Sequence, residues 1–189
     1  MAASKVNIAN LGLTLLGNPP ILDLDEDNDR ARVMNRLYPD MRREVLGEGE
    51  WAFAIKRGVL PATTSPIWWF STAFALPADC IRVLNIDGSQ FDEWQVEGQT
   101  IVCFRTSLSI RYIFDNDDPT TYGPGFITSL GHRLAAAAAF PLTNSTETAR
   151  DMFRLYEKIV QAQKTVDSMQ GQTPRFDVTE LESARHGLF

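Results

Sequence analysis

The chain has 189 residues, 44% of them hydrophobic and 22% charged, and its 18 Lys+Arg against 24 Asp+Glu give a formal charge of −6. That length holds one sizeable core with room for a smaller inserted subdomain, not two full independent domains, and the composition argues against long disorder outside the termini. The acidic balance repels nucleic-acid phosphates over the surface as a whole, which sets nucleic acid aside as the main ligand.

The N-terminal apolar run is interrupted by Asn7, Asn10 and Gly12 and does not read as a secretion signal. No segment approaches the roughly 18 uncharged apolar residues of a membrane-spanning helix, so cytosol-like surroundings are expected. From Val6 to Leu16, Val6, Ala9, Leu13 and Leu16 form one helical stripe and Ile8, Leu11 and Leu15 its neighbour. Gly17 suits a left-handed cap, and Pro19 and Pro20 cannot continue the helix. The acidic linker "DLDEDND" then favours a new helix start at about Asn28 or Asp29. This second helix carries Met34, Leu37, Tyr38, Met41 and Val45 on one face and arginines around the rest, with Pro39 expected to bend or restart it. Because Asp29, Asp40 and Glu44 interleave with the arginines, that face reads as a solvated or subunit-facing surface more than a phosphate-binding stripe.

From about Pro66 the pattern changes to short strands rich in β-branched and aromatic residues, and a compact antiparallel β unit is expected over 58–115. In "LSIRYIF", Leu108, Ile110, Tyr112 and Phe114 share one face while Ser109 and Arg111 point away. Helical periodicity resumes at Pro124, with Phe126, Ile127, Leu130, Leu134 and Ala138 on one side, and the run Ala135 to Ala139 lets a neighbouring backbone come close. Pro141 is expected to end this helix, and Asn144 with Glu147 to form a capping box for the next, which runs to about Met169. The tail, 170–189, carries Phe176, Val178, Leu181, Leu188 and Phe189 among polar residues, a pattern suited to docking on something else.

Candidate chemistry is sparse. His132 reads as a surface residue beside Arg133, and His186 lies in the tail. Cys80 and Cys103 fall in predicted strands with no CxxC and no nearby histidine, so buried reduced thiols are expected rather than a zinc site. Asp92, Glu93 and Glu97 flank Trp94, a pattern that would suit carboxylates beside a sugar-stacking ring in a glycan hydrolase. The competing reading places Trp94 and Val96 on the inner face of a strand and Glu93, Gln95 and Glu97 in water. In "FALPADCIRVLNIDG", Pro77 ends a strand, Asp79 is expected to bond backbone amides at the turn, and Arg82 to pair with Asp79 or another acid, making a structural corner.

The segments "NIANLGLTLLGNPPILDLDED", "RLYPDMRREVL" followed by "WAFAIKR", "FALPADCIRVLNI", "WQVEGQTIV", "LSIRYI" and "FITSLGHRLAAAAAFPLTNS", in this order from about Asn7 to Tyr156, resemble the tail tubular protein A family, the head-to-tail adaptors (gatekeepers) of short-tailed phages. The resemblance implies an α+β fold: an antiparallel bundle of four main helices (1–57 and 116–169) with an inserted small antiparallel β domain (58–115) and an extended C-terminal docking tail. It implies a structural virion protein, made in the host bacterial cytoplasm, forming a self-assembled ring of about twelve subunits. Its partners would be the portal protein and a tubular protein B-like tail nozzle, with DNA passing through the channel unbound and no membrane involved. No cofactor, metal or catalytic residue is implied, and an acidic balance suits a channel that must not retain DNA. Arg32, Arg36 and Arg43, with Arg175, Phe176, Leu181, Arg185 and Phe189 of the tail, are the expected subunit or portal contacts. The alternative is an envelope-glycan (peptidoglycan) hydrolase using Asp92, Glu93 or Glu97.

Overall fold

The computed structural model describes residues 3–63, 69–87 and 93–168. Four helices and two small antiparallel sheets make a mixed α+β architecture, with helices from both ends of the chain meeting in one core. Helix α1 (Lys5–Leu15) begins where Ser4 Oγ accepts the Asn7 amide at 3.1 Å. It closes through Leu16 and Asn18 amides that return to the Leu13 carbonyl, with Gly17 at φ +69°, a conformation that β-carbon-bearing residues resist. The Asn10 side chain donates to Ile21 O and accepts from Ile21 N, both at 2.8 Å, so the following loop is clasped back onto α1.

Helix α2 (Asp29–Glu48) starts at Asn28, whose Oδ1 accepts from the Ala31 amide at 2.9 Å. It continues through Pro39 rather than restarting there; Pro39 faces solvent, where water can serve the carbonyl its ring leaves unpaired. A short 3-10 turn, Ala52–Ala54, then leads into the strands.

The strands are β1 (Ile55–Leu60), β2 (Thr72–Ala75), β3 (Cys80–Ile86), β4 (Trp94–Glu97), β5 (Thr100–Cys103) and β6 (Leu108–Phe114). They form two small antiparallel sheets, in the orders β1-β6-β3 and β2-β5-β4, that pack on one shared core. The β4–β5 hairpin turns on Gly98 at φ +58°. Pairing of Lys56 with Tyr112 and Arg57 with Arg111 starts the strand region at Ile55, three residues ahead of the expected boundary. Along β6, Leu108, Ile110 and Tyr112 pack with Phe74, Ile101 and Cys103 of the other sheet, whereas Ile113 turns to the opposite side and joins the helical core. The strand is thus buried on both faces near its C-terminal end, which the period-two reading of one wet face did not anticipate.

Helix α3 (Pro124–Thr143) runs two residues past Pro141, which sits in its last turn and costs only one terminal hydrogen bond. Asn144, at φ 55°, is the left-handed cap of α3, its amide donating to Phe140 O at 2.9 Å. The N-cap of helix α4 (Thr146–Ser168) is therefore Ser145, whose Oγ accepts the Thr148 amide at 3.1 Å, and the expected Asn144–Glu147 box does not form. Ile8 and Leu13 of α1, Met34 and Leu46 of α2, Phe126, Leu130 and Leu134 of α3 and Tyr156 and Val160 of α4 bury together. The α1–α3 crossing is close enough that a β-carbon on Gly12 would lie 3.1 Å from the Gly131 carbonyl oxygen, with Ala135 and Ala138 fully buried nearby.

Gly12→Val, which drives branched methyls onto the α3 backbone, is expected to lower unfolding free energy by about 2–3 kcal/mol in urea titrations. Asn7→Ala, on the exposed side of the same helix, should change it by less than about 0.5 kcal/mol.

Candidate interaction surfaces

The strand corner is held by ion pairs, in a different pairing from the expected one. Asp79 takes Lys56 Nζ at 2.7 Å and the Tyr112 hydroxyl at 3.3 Å through its side chain, while its backbone carbonyl accepts the Asp115 amide at 2.7 Å. Arg82 does not reach Asp79: it donates to the Gly49 carbonyl at 3.3 Å, because alternation along β3 turns it toward the end of α2. The turn after Pro77 is closed by the Cys80 amide on Pro77 O at 2.9 Å, a backbone bond that leaves the Asp79 carboxylate free for Lys56. Both cysteines are free thiols, Cys103 buried and Cys80 half-buried, and burial, reinforced by Asp79, pushes the Cys80 thiol up.

A groove of about 320 Å³ lies beside this corner between Cys80, Arg82, Val83 and the tip of the β4–β5 hairpin at Val96 and Gly98. Among the described residues no carboxylate lines it. Glu93 and Glu97 are exposed, with no side-chain hydrogen bond among the described residues, and Asp92 lies outside those residues. Val96 is also exposed, contrary to its expected inner-face position: β4 is an edge strand, and of its residues only Trp94 packs on the sheet core.

The helical side meets the sheets at a buried charge. Arg42, with 4% of its side chain exposed, places Nη2 2.5 Å from Asp115 Oδ1 and Nη1 2.6 Å from Asp117 Oδ1. The Nη1 contact is close but off line for a hydrogen bond, so its contribution is mainly coulombic. Arg43 Nε binds Asp115 Oδ2 at 2.8 Å, and Lys5 of α1 reaches Asp117 at 2.7 Å. Next to this cluster, Asn116 Nδ2 bonds Thr121 Oγ1 at 2.9 Å and the Tyr122 hydroxyl donates to Asn116 O at 2.8 Å. Burial pushes the phenols of Tyr38, Tyr112, Tyr122 and Tyr156 up, and the bond Tyr156 makes to Glu48 at 2.8 Å adds to its shift.

Of the arginines expected at a partner surface, Arg36 stays exposed, Arg32 is engaged by Asp27 and by Asp29 at 3.0 Å, and Arg43 serves the internal cluster. Arg175, Phe176, Leu181, Arg185 and Phe189 lie outside the described residues, as does His186. His132 is buried rather than superficial, its Nδ1 2.8 Å from Thr128 O, on a helix that packs against α1, α2 and α4. Among the described residues no group of His, Cys, Asp and Glu is arranged to hold a metal, and no helix is long and apolar enough to cross a membrane.

What the sequence did not single out is exposed apolar surface. Trp69, 68% exposed, lies with Phe70 against Phe104 at centroid distances of 6.3 and 5.2 Å from it. Phe140, Phe153 and Leu155 stand out from α3 and α4, and Leu22 from the α1–α2 loop. Phe140 and Leu155 lie off the helical stripes, whereas Phe153, three positions before Tyr156, falls on the apolar stripe of α4 and is nonetheless 41% exposed. Comparison with family models and with curated proteins gives no match to the chain.

Asp115→Ala is expected to cost about 3–5 kcal/mol, since it leaves a buried guanidinium half-compensated, whereas Arg42→Met, after which Asp115 keeps Arg43, should cost less. Chemical denaturation of both variants checks the order. Because all four phenols have folded pKa values above the unfolded value of about 10, their contribution to stability is complete below that pH and is lost as pH rises beyond it. Tyrosinate absorbance should therefore appear in one step together with alkaline unfolding, not before it.

Proposed function

We propose that this chain is a structural virion protein: an adaptor subunit of a ring that joins the portal to the tail nozzle of a short-tailed phage and forms part of the DNA channel. The reading rests on the ordered resemblance to the tail tubular protein A family. The observation that carries it furthest is the distribution of exposed large apolar side chains over both parts of the chain, Phe140, Phe153 and Leu155 on the helices and Trp69 and Phe104 on the sheets. Apolar surface left in water on both the helical and the sheet parts of a well-packed subunit suits a protein that contacts more than one neighbour.

The subunit suits a mechanical task. Its helical core and its sheets share β6 and are tied at the Arg42 cluster, so load on one part reaches the other through packed side chains and not through a linker. In a ring, each weak contact is repeated around the circle and gains from its neighbours. The acidic balance of −6 disfavours retention of passing DNA.

Co-expression with the portal protein of the same phage should give a co-purifying, ring-sized species in light scattering and in electron micrographs. A chain that remains monomeric and fails to co-purify with that portal would remove the adaptor reading.

A further inference from the structure

The α1–α2 loop is built as a small rigid knob with an apolar tip. Glu26 Oε1 accepts the Leu22 amide and, at 3.0 Å, the Asp23 amide, and its Oε2 accepts Asn28 Nδ2 at 2.6 Å; these bonds, the Leu22 amide first, hold its carboxyl below the usual range. Asp23 Oδ1 caps the Asp25 amide at 2.9 Å, Asn35 binds Asp25 Oδ1 at 3.0 Å, and the Asn10 clasp fixes Ile21. At the centre of this ordered loop Leu22 is 92% exposed. Arg32 pairs with Asp27 and Asp29, which leaves Asp23 as the acid beside Leu22 that has no basic partner among the described residues. A leucine presented on a preorganised acidic frame loses little entropy on binding.

A socket of matching chemistry lies elsewhere on the helical region. The groove between α3 and α4, about 480 Å³, is lined by Ala136, Ala149 and Phe153 with Arg150, Arg154 and Glu157 at its rim. Phe153 is held from within by Tyr156, at 6.0 Å between centroids, and by Arg133, 5.6 Å over its ring, while its outer side is open. Arg150 has no ion-pair partner among the described residues, and Arg154 has only Asp151 at 3.6 Å. Being almost fully exposed, Leu22 does not occupy this groove of its own chain.

We infer that Leu22 of one copy seats in the α3–α4 groove of the next, with Asp23 meeting Arg150 and Arg154. Knob and socket are different surfaces, so the contact can repeat head-to-tail and close a ring where its rotation permits, whereas a reciprocal two-fold exchange would stop at a linked dimer and give no ladder. The charges fix register, and the leucine against Phe153 and the two alanines supplies the apolar burial. This inference rests on the ring reading above and names the surfaces that would carry it.

The test uses the full chain in a Cys80→Ser background. A Leu22→Cys chain mixed with an Arg150→Cys chain should give a disulfide-linked pair on mild oxidation, and the double variant a ladder of higher species. An Asn7→Cys chain, exposed elsewhere on α1, should pair with Arg150→Cys far less. Leu22→Asp and Arg150→Glu should each weaken self-association by about tenfold or more in sedimentation velocity, with thermal midpoints unchanged. A wild-type chain that associates while the Leu22–Arg150 pair links no better than the Asn7 control overturns the seat and leaves the ring standing on other surfaces. A wild-type chain that stays monomeric up to millimolar concentration and does not cross-link also overturns the seat, and the ring reading is then decided by portal co-purification alone.

Discussion

One buried guanidinium holds the two parts of this protein together. Arg42 arrives on α2, and its carboxylates sit where the chain leaves β6, 73 residues later. Taking a guanidinium out of water costs several kcal/mol, which only closely placed carboxylates can offset, so this arrangement is weak as a source of stability and strong as a specification of geometry. The segment that carries the acids is fixed in turn: Asp115 bonds Asp79 through the backbone, Asn116 bonds Thr121, and Tyr122 packs against Phe126 at 4.8 Å. A charge requirement at one point thereby sets the angle at which the sheets leave the helices.

Strand β6 does the apolar half of the same work. Its side chains divide between two cores, Ile113 with Trp51 and Phe126 on one side, Ile110 and Tyr112 with Phe74 on the other. Trp51 adds a directed contact, donating Nε1 to Val45 O at 2.8 Å while its ring stands edge-on to Phe126. Two cores sharing a strand cannot swing independently without tearing one of them open. For a subunit proposed to sit between two larger assemblies, that stiffness matters more than any single surface residue.

The sequence made the helices readable because their signals are local. The 3.6-residue period, the Asn28 cap and the left-handed Gly17 depend on neighbours within a turn or two. The misreadings came where a partner far along the chain decides the outcome. Arg82 bonds Gly49 and not Asp79, 33 residues separating donor and acceptor, and His132 is buried on α3, a helix that elements from both ends of the chain pack against. Asn144 belongs one element away from where its local pattern points, and Pro141 sits inside the helix it was expected to end, since a proline in a final helical turn costs little and asparagine serves as well for a left-handed end as for a helix start. The division of the strands into two sheets depends on β6 pairing with both β1 and β3, which no local pattern encodes. On the surface, Leu22 gives no warning of itself, because it stands with Ile21 and Leu24 in a linker without periodicity, and nothing local says which of the three is left outside.

The Asn10–Ile21 clasp spans 11 positions, whereas the bonds that join α2 to the end of β6 span more than 70. Closing a short loop is fast and entropically cheap, and closing a long one waits for the intervening chain. During synthesis the α1–α2 turn can therefore take its final shape soon after it leaves the ribosome, while the apolar side of α1 stays without α3 until more than a hundred further residues have been made. This turn, made ahead of the helices that complete the core, is thus finished in form long before its host is, and the unburied stripe beside it is a stretch of the nascent polypeptide that chaperones have reason to shield.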